Sequence, residues 1–164
     1  MKIILQVEDD PNDVIFLRHA MDKAGAINPI HTVSDGRQAI AYLQGTGKFA
    51  DRAKFPFPCL VLLDLKLPYV MGLEVLKWIR NHSPTALPVV MMTASAEDAD
   101  IATAYRLGAS AFLSKPSEAA QLEDMAKAIQ HFWLKHNTLP VASAVGPVME
   151  EMIARVQHAV PAAG

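Results

Sequence analysis

A chain of 164 residues with 51% hydrophobic and 20% charged side chains is long enough to bury one full core and too apolar to stay unfolded. Its net charge of -2 leaves no basic footprint for nucleic acid, and no apolar run approaches the roughly 20 residues that span a bilayer. A lone cysteine, Cys59, excludes an internal disulfide and any multi-cysteine zinc site, and the expected compartment is the cytoplasm.

Ile3-Ile4-Leu5-Gln6-Val7 predicts a short strand that runs straight into Glu8-Asp9-Asp10-Pro11. Asp10 suits a helix N-cap, with Pro11 at the first helical position and Asp13 at the third, which leaves Glu8 and Asp9 with no capping duty. The helix carries Val14, Leu17 and Met21 on one face and closes near Gly25. Ile30-His31-Thr32-Val33 predicts a second strand, and Ser34-Asp35-Gly36 opens a helix with Ala39, Ile40 and Leu43. Residues 45 to 58 mix glycines, charges and two prolines and are expected as a long surface loop. Their Gly45-Thr46-Gly47-Lys48 is a poor phosphate loop, because Tyr42 stands where the earlier glycine is required.

The next stretch, Cys59 through Leu63, is apolar without alternation, as in a strand covered on both faces, and it delivers Asp64 at its carboxyl end. Cys59 lies within this pattern and is expected to pack as a small hydrophobe. A turn through Pro68 and Gly72 leads to a helix with Leu73, Leu76 and Ile79 inward, ending before Pro84. Pro88 through Met92 predicts a fourth strand ending at Thr93. Ser95 and Asp98 then have capping-box spacing for a helix bearing Ile101, Ala104 and Tyr105, stopped by Gly108. Ala111-Phe112-Leu113 is a short fifth strand ending at Ser114-Lys115-Pro116, followed by a helix capped by Ser117 that buries Leu122, Met125, Ile129 and Phe132.

Strand and helix alternate five times, the pattern of an α/β doubly wound fold with a parallel central sheet. Right-handed crossovers place every strand end on one edge, which gathers Glu8, Asp9, Asp64, Thr93 and Lys115. Carboxylates so gathered repel one another unless a cation joins them, and oxygen-only ligands favour magnesium. With a hydroxyl and a lysine beside them, the parts suit phosphoryl transfer to an aspartate. The six histidines show no metal-ligand spacing and none falls in this group.

An acidic pair after the first strand, an aspartate after the third, a threonine after the fourth and Lys115-Pro116 after the fifth resemble the signature of two-component response regulator receiver domains, over residues 1 to 135. The resemblance implies a flavodoxin-like five-stranded sheet of order 2-1-3-4-5. It implies that Asp64 is the phosphoacceptor, served by a sensor histidine kinase. Glu8, Asp9, Asp64 and the backbone carbonyl of Lys66 would hold Mg2+, Thr93 and Lys115 would contact the phosphoryl group, and Phe112 would be the switch aromatic. A receiver is a signalling protein, not an enzyme acting on other substrates, and catalyses only its own phosphorylation and dephosphorylation. The 45 to 58 loop and Phe132-Trp133-Leu134 are also similar to response regulators associated with bacterial phytochromes, which implies a bacteriophytochrome as the kinase partner.

Residues 136 to 164 are too few for an output domain, so a stand-alone receiver with a C-terminal helical extension is expected. Leu139 through Pro147 has linker composition. Val148, Met149, Met152, Ile153 and Val156 form an apolar stripe expected to dock on its own domain, on a partner or in a homodimer. Two other functions compete. A phosphatase of the haloacid dehalogenase type needs a second aspartate two residues after the nucleophile, where Lys66 stands. A pseudo-receiver would bind partners without phosphorylation, and the intact Asp9, Asp64, Thr93 and Lys115 argue against it.

Overall fold

The computed structural model describes residues 2–83 and 86–139. Five strands, β1 (Ile4–Val7), β2 (Ile30–Val33), β3 (Leu60–Leu63), β4 (Val89–Thr93) and β5 (Ala111–Ser114), form one parallel sheet of order β2-β1-β3-β4-β5. The expected α/β fold and strand order are therefore present. Helices α1 (Pro11–Lys23), α2 (Gly36–Gln44), α3 (Gly72–His82), α4 (Asp98–Arg106) and α5 (Ala119–Ile129) supply the crossovers.

The period of two along each strand sorts the core into two layers. Ile4, Leu60, Leu62, Val90 and Met92 pack with Leu17, Ala20 and Met21 of α1 and Ala126 and Ile129 of α5. Leu5, Val7, Val61, Leu63, Val89 and Met91 pack instead with Ala39, Tyr42, Val75, Leu76, Ile79 and Ala104 of α2, α3 and α4. Both faces of β3 are thus covered, which accounts for its unbroken apolar run. Cys59 packs half-buried against the α1 and α5 layer, and burial pushes its thiol pKa up. Among the described residues no helix is long and apolar enough to cross a membrane.

The expected cap at Asp10 forms, and α2 has a further one at Asp35. The Asp10 carboxylate accepts from Asn12 N at 2.8 Å, and the Asp35 carboxylate from Gln38 N at 2.8 Å. Two predicted caps move. Helix α4 is capped at Glu97, not Ser95, because Asp100 Oδ2 accepts from Glu97 N at 3.2 Å and competes for the helix start. Helix α5 begins from Glu118 with no side-chain cap, and Ser117 is left exposed in the bend after Pro116.

Phe132, expected in the core, is 58% exposed. The backbone widens into π-helical geometry over Gln130–His136, with Asn137 N donating to Phe132 O at 2.7 Å, and the extra residue per turn shifts the apolar phase so that Leu134 is buried instead. Tyr105, on the α4 stripe, is exposed, and its hydroxyl accepts from Phe112 N at 3.2 Å. The expected surface loop at 45 to 58 is more ordered than its composition suggests. It holds a 3-10 turn at Gly47–Phe49 and sends Phe49 into the core at 5% exposure. The C-terminal stripe from Val148 to Val156, and the linker before it beyond Leu139, lie outside the described residues.

Candidate phosphoacceptor and metal site

The parallel ladder runs on past the ends of β1 and β3. Glu8 N donates to Val33 O at 3.0 Å and Asp64 N to Val7 O at 3.1 Å, so both backbones stay in register with the sheet. Glu8 continues the parity of Ile4 and Gln6, Asp64 that of Leu60 and Leu62, and Lys115 that of Ala111 and Leu113. All three therefore lie on the face covered by α1. Lys115 N donates to Thr93 O at 2.8 Å, which fixes where the lysine leaves β5.

There the Lys115 ammonium meets three carboxylates. It donates to Glu8 Oε2, to Asp13 Oδ2 at 2.8 Å and to Asp64 Oδ2 at 2.9 Å. Burial works to lower the Lys115 pKa, but the hydrogen bonds that Lys115 donates to these carboxylates outweigh it and hold the ammonium above its usual range. Burial is also the largest influence on Glu8. It pushes that carboxyl above 4.5, despite the opposing hydrogen bonds from Lys115 and from Asp10 N, which lies 3.0 Å from Glu8 Oε1.

The loop after Asp64 is pinned from several sides. A Cβ at Gly72 would fall 2.0 Å from the Asp64 carbonyl oxygen, so only glycine allows α3 to start so close to the end of β3. Tyr69 adopts φ 65°, a left-handed conformation unusual for a bulky side chain, and the Arg37 guanidinium stacks 3.4 Å from its ring centroid. Lys66 N donates to Asp64 Oδ1 at 3.3 Å, while Lys66 Nζ reaches Ser95 Oγ at 3.3 Å and ties this loop to the one after β4.

Glu8, Asp9 and Asp64 each offer an oxygen within 4.8 Å of the other two. Three hard oxygen donors with one edge open to solvent through the exposed Asp9 fit a divalent cation such as magnesium or manganese. Thr93 is buried on the opposite parity, with Val89 and Met91, and its hydroxyl donates to Ser95 O at 3.2 Å. Phe112 shares that side, half-buried against the α2, α3 and α4 layer.

A sequence profile of the response regulator receiver domain matches residues 4–127. The chain belongs to the receiver domain family of response regulators. Receiver domains are signalling proteins of two-component systems, phosphorylated by histidine kinases, that bind a divalent metal at an acidic cluster such as the one here. This receiver is 34% identical over 142 residues to response regulator Rcp1 of Synechocystis sp., across 86% of this chain and 95% of Rcp1. A crystal structure of Rcp1 in its Mn(2+)-bound form superposes with a TM-score of 0.76 at 33% identity, covering 86% of this chain and all (100%) of that one. The phosphorylated cyanobacterial phytochrome response regulator RcpA superposes with a TM-score of 0.78 at 35% identity, covering 85% of this chain and 98% of RcpA.

The geometry brings Glu8, Asp9, Asp64 and Lys115 together as expected. It also adds Asp13, which the sequence presents only as an acid in the first turn of a helix. Strand parity was the available signal, since Glu8, Asp64 and Lys115 all fall on the side where α1 must pack. Gly72 was visible as a turn residue, but its close approach to Asp64 depends on where α3 docks.

Proposed function

We propose that this receiver is a two-component response regulator whose Asp64 accepts a phosphoryl group from a sensor histidine kinase, and that residues 1–135 form the receiver unit with 136–164 as an extension. The observation that carries the proposal is the Lys115 ammonium held against Asp64 Oδ2, beside a trio of carboxylate oxygens that no other described cation neutralises. Mg2+, held by Glu8, Asp9, Asp64 and the Lys66 carbonyl, would neutralise charge on the transferred group. Asp64 supplies the nucleophilic oxygen. An Oδ–P bond forms as the P–N bond to the donor imidazole breaks, and the imidazole leaves with the electron pair. Lys115 stabilises the charge on the phosphoryl oxygens, and the buried setting strengthens that attraction relative to water.

The proposed readout runs through Thr93 and Phe112, which share one side of the sheet. Thr93 rotates its hydroxyl from Ser95 O toward the phosphoryl group, and Phe112, on the same side of the sheet, fills the space beneath α4. The surface of α4, β5 and α5 changes as a result. The same residues catalyse phosphorylation from small acyl phosphates and later hydrolysis, and no other substrate is implied. Similarity to the phytochrome response regulator RcpA supports a phytochrome-type kinase as partner; the cytoplasm as setting and a homodimer as the assembled form are part of the same proposal.

Incubation with acetyl phosphate and Mg2+, followed by a phosphate-affinity gel, tests this directly. A retarded band is expected for the wild-type protein and none for Asp64→Asn. No shift in the wild type would favour a binding module that works without phosphorylation, and an equal shift in Asp64→Asn would place the phosphoryl group elsewhere. Phosphotransfer profiling against a panel of sensor kinases tests the partner, with a phytochrome kinase expected to transfer fastest.

A further inference from the structure

An ammonium has three hydrogens to donate and no acceptor. All three Lys115 hydrogens are already committed, to Glu8, Asp13 and Asp64. As it stands, the side chain has no donor left for a phosphoryl oxygen. The acceptors differ in kind. Glu8 and Asp64 belong to the trio whose oxygens lie within 4.8 Å of one another and suit a divalent cation, and Asp13 does not. A cation on that trio competes with Lys115 for the carboxylates of Glu8 and Asp64, and the two positive charges repel. Asp13 is the one partner Lys115 can keep.

Asp13 is also placed to do so. It sits in the first turn of α1, close to the Asp10 cap, so its backbone is fixed by the helix start. Its side chain remains 35% accessible to solvent, against 4% for Glu8 and 10% for Asp64, so its pair with Lys115 survives on the wet rim of the site. We propose that Asp13 is a positioning residue that keeps the Lys115 ammonium at the site when Glu8 and Asp64 are taken up by a metal ion and a phosphoryl group, freeing two N–H donors for the transferred group. This rests on the phosphoacceptor reading of the site.

The test is a double-mutant cycle on Mg2+ binding, measured by calorimetry on the full chain, using Asp13→Asn, Lys115→Met and both together. Asp13→Asn should weaken Mg2+ binding about tenfold, because Lys115 then has no carboxylate to retreat to. In the Lys115→Met background the same change should alter Kd less than about twofold. Asp13→Ser provides the same loss of charge if the Asn variant fails to fold, and Asp13→Glu should restore binding to within about threefold of wild type. The rate of phosphorylation by acetyl phosphate should follow the same pattern.

Wild-type Kd in Asp13→Asn overturns the assignment. So does an equal effect with and without Lys115, which would make Asp13 only a nearby negative charge. A Glu variant as weak as the Asn variant also counts against it. If the wild-type protein binds no Mg2+ and takes no phosphoryl group, the reading of the site itself fails. If it does both and the cycle shows no coupling, only the role of Asp13 fails.

Discussion

Two regions of this receiver bury polar atoms, and they do it in opposite ways. Beneath residues 45 to 58, Tyr42 donates to Pro56 O at 3.0 Å and lies 2.8 Å from His31 Nδ1, within a cluster that includes Phe49 and Phe55. Arg52 closes the end of α2 by donating to Leu43 O at 2.6 Å and to Tyr42 O at 2.8 Å, which also accepts from Gly45 N at 3.1 Å. Each donor there has an acceptor that no incoming ion contests. At the carboxyl edge of the sheet one ammonium is divided among three carboxylates, two of which an incoming cation also wants. The first arrangement can only be kept or lost. The second has alternatives, and a site that must change state needs them.

This contrast implies that changes in the first region alter stability and leave metal binding alone, while changes in the second do the reverse. After the loss of phosphorylation in Asp64→Asn, the largest effect should come from Tyr42→Ala. It empties a fully buried ring site and removes both hydroxyl contacts, so urea unfolding should show a loss of about 3–5 kcal/mol. Mg2+ affinity at temperatures where the variant stays folded should be unchanged, and a large shift in it would break the contrast.

Gly72→Ala should fall between the two classes. Its new Cβ would meet the Asp64 carbonyl, so the loop must shift, at a cost of about 1–3 kcal/mol by urea unfolding, with phosphorylation of Asp64 slowed as well. Loss of stability alone would show that the loop moves without disturbing the carboxylate.

The smallest effect, and the opposite sign, belongs to Glu8→Gln in the absence of metal. The folded protein holds the Glu8 proton more tightly than the unfolded chain does, because the folded-state pKa lies above 4.5. Glu8 therefore favours folding at acid pH and loses that contribution as pH rises through its shifted value. Unfolding curves in chelator should show Glu8→Gln equal to wild type or up to about 1 kcal/mol more stable at pH 7, with a flatter pH dependence as pH rises from 4.5. Its Mg2+ affinity should fall. Lower metal-free stability at pH 7 would mean that the Glu8 to Lys115 pair stabilises the fold outright.

Most of the fold was legible because its signals are local and periodic. The apolar run of β3, the cap at Asp10 and the stop after α3 each depend on neighbours in sequence. The strand-end residues Glu8, Asp9, Asp64 and Lys115 were legible for a topological reason, since a parallel sheet must bring its carboxyl ends to one edge. Capping was less reliable where two acids or hydroxyls competed, as Ser95 did with Glu97 and Asp100. The buried role of Phe49 was hidden because polar neighbours dominate the composition of its loop.

By itself the sequence determined which residues end the strands, and so which chemistry the edge carries. The tertiary structure alone decided how that chemistry is shared. Asp13 joins the site because α1 docks on the face toward which Glu8, Asp64 and Lys115 point. Gly72 matters because α3 starts against Asp64, and Phe132 faces solvent because a π-helical turn shifts the phase of the last helix. The first two depend on distances between segments far apart in the chain, which packing sets and local pattern does not contain, and the third on a backbone widening that the apolar spacing does not signal.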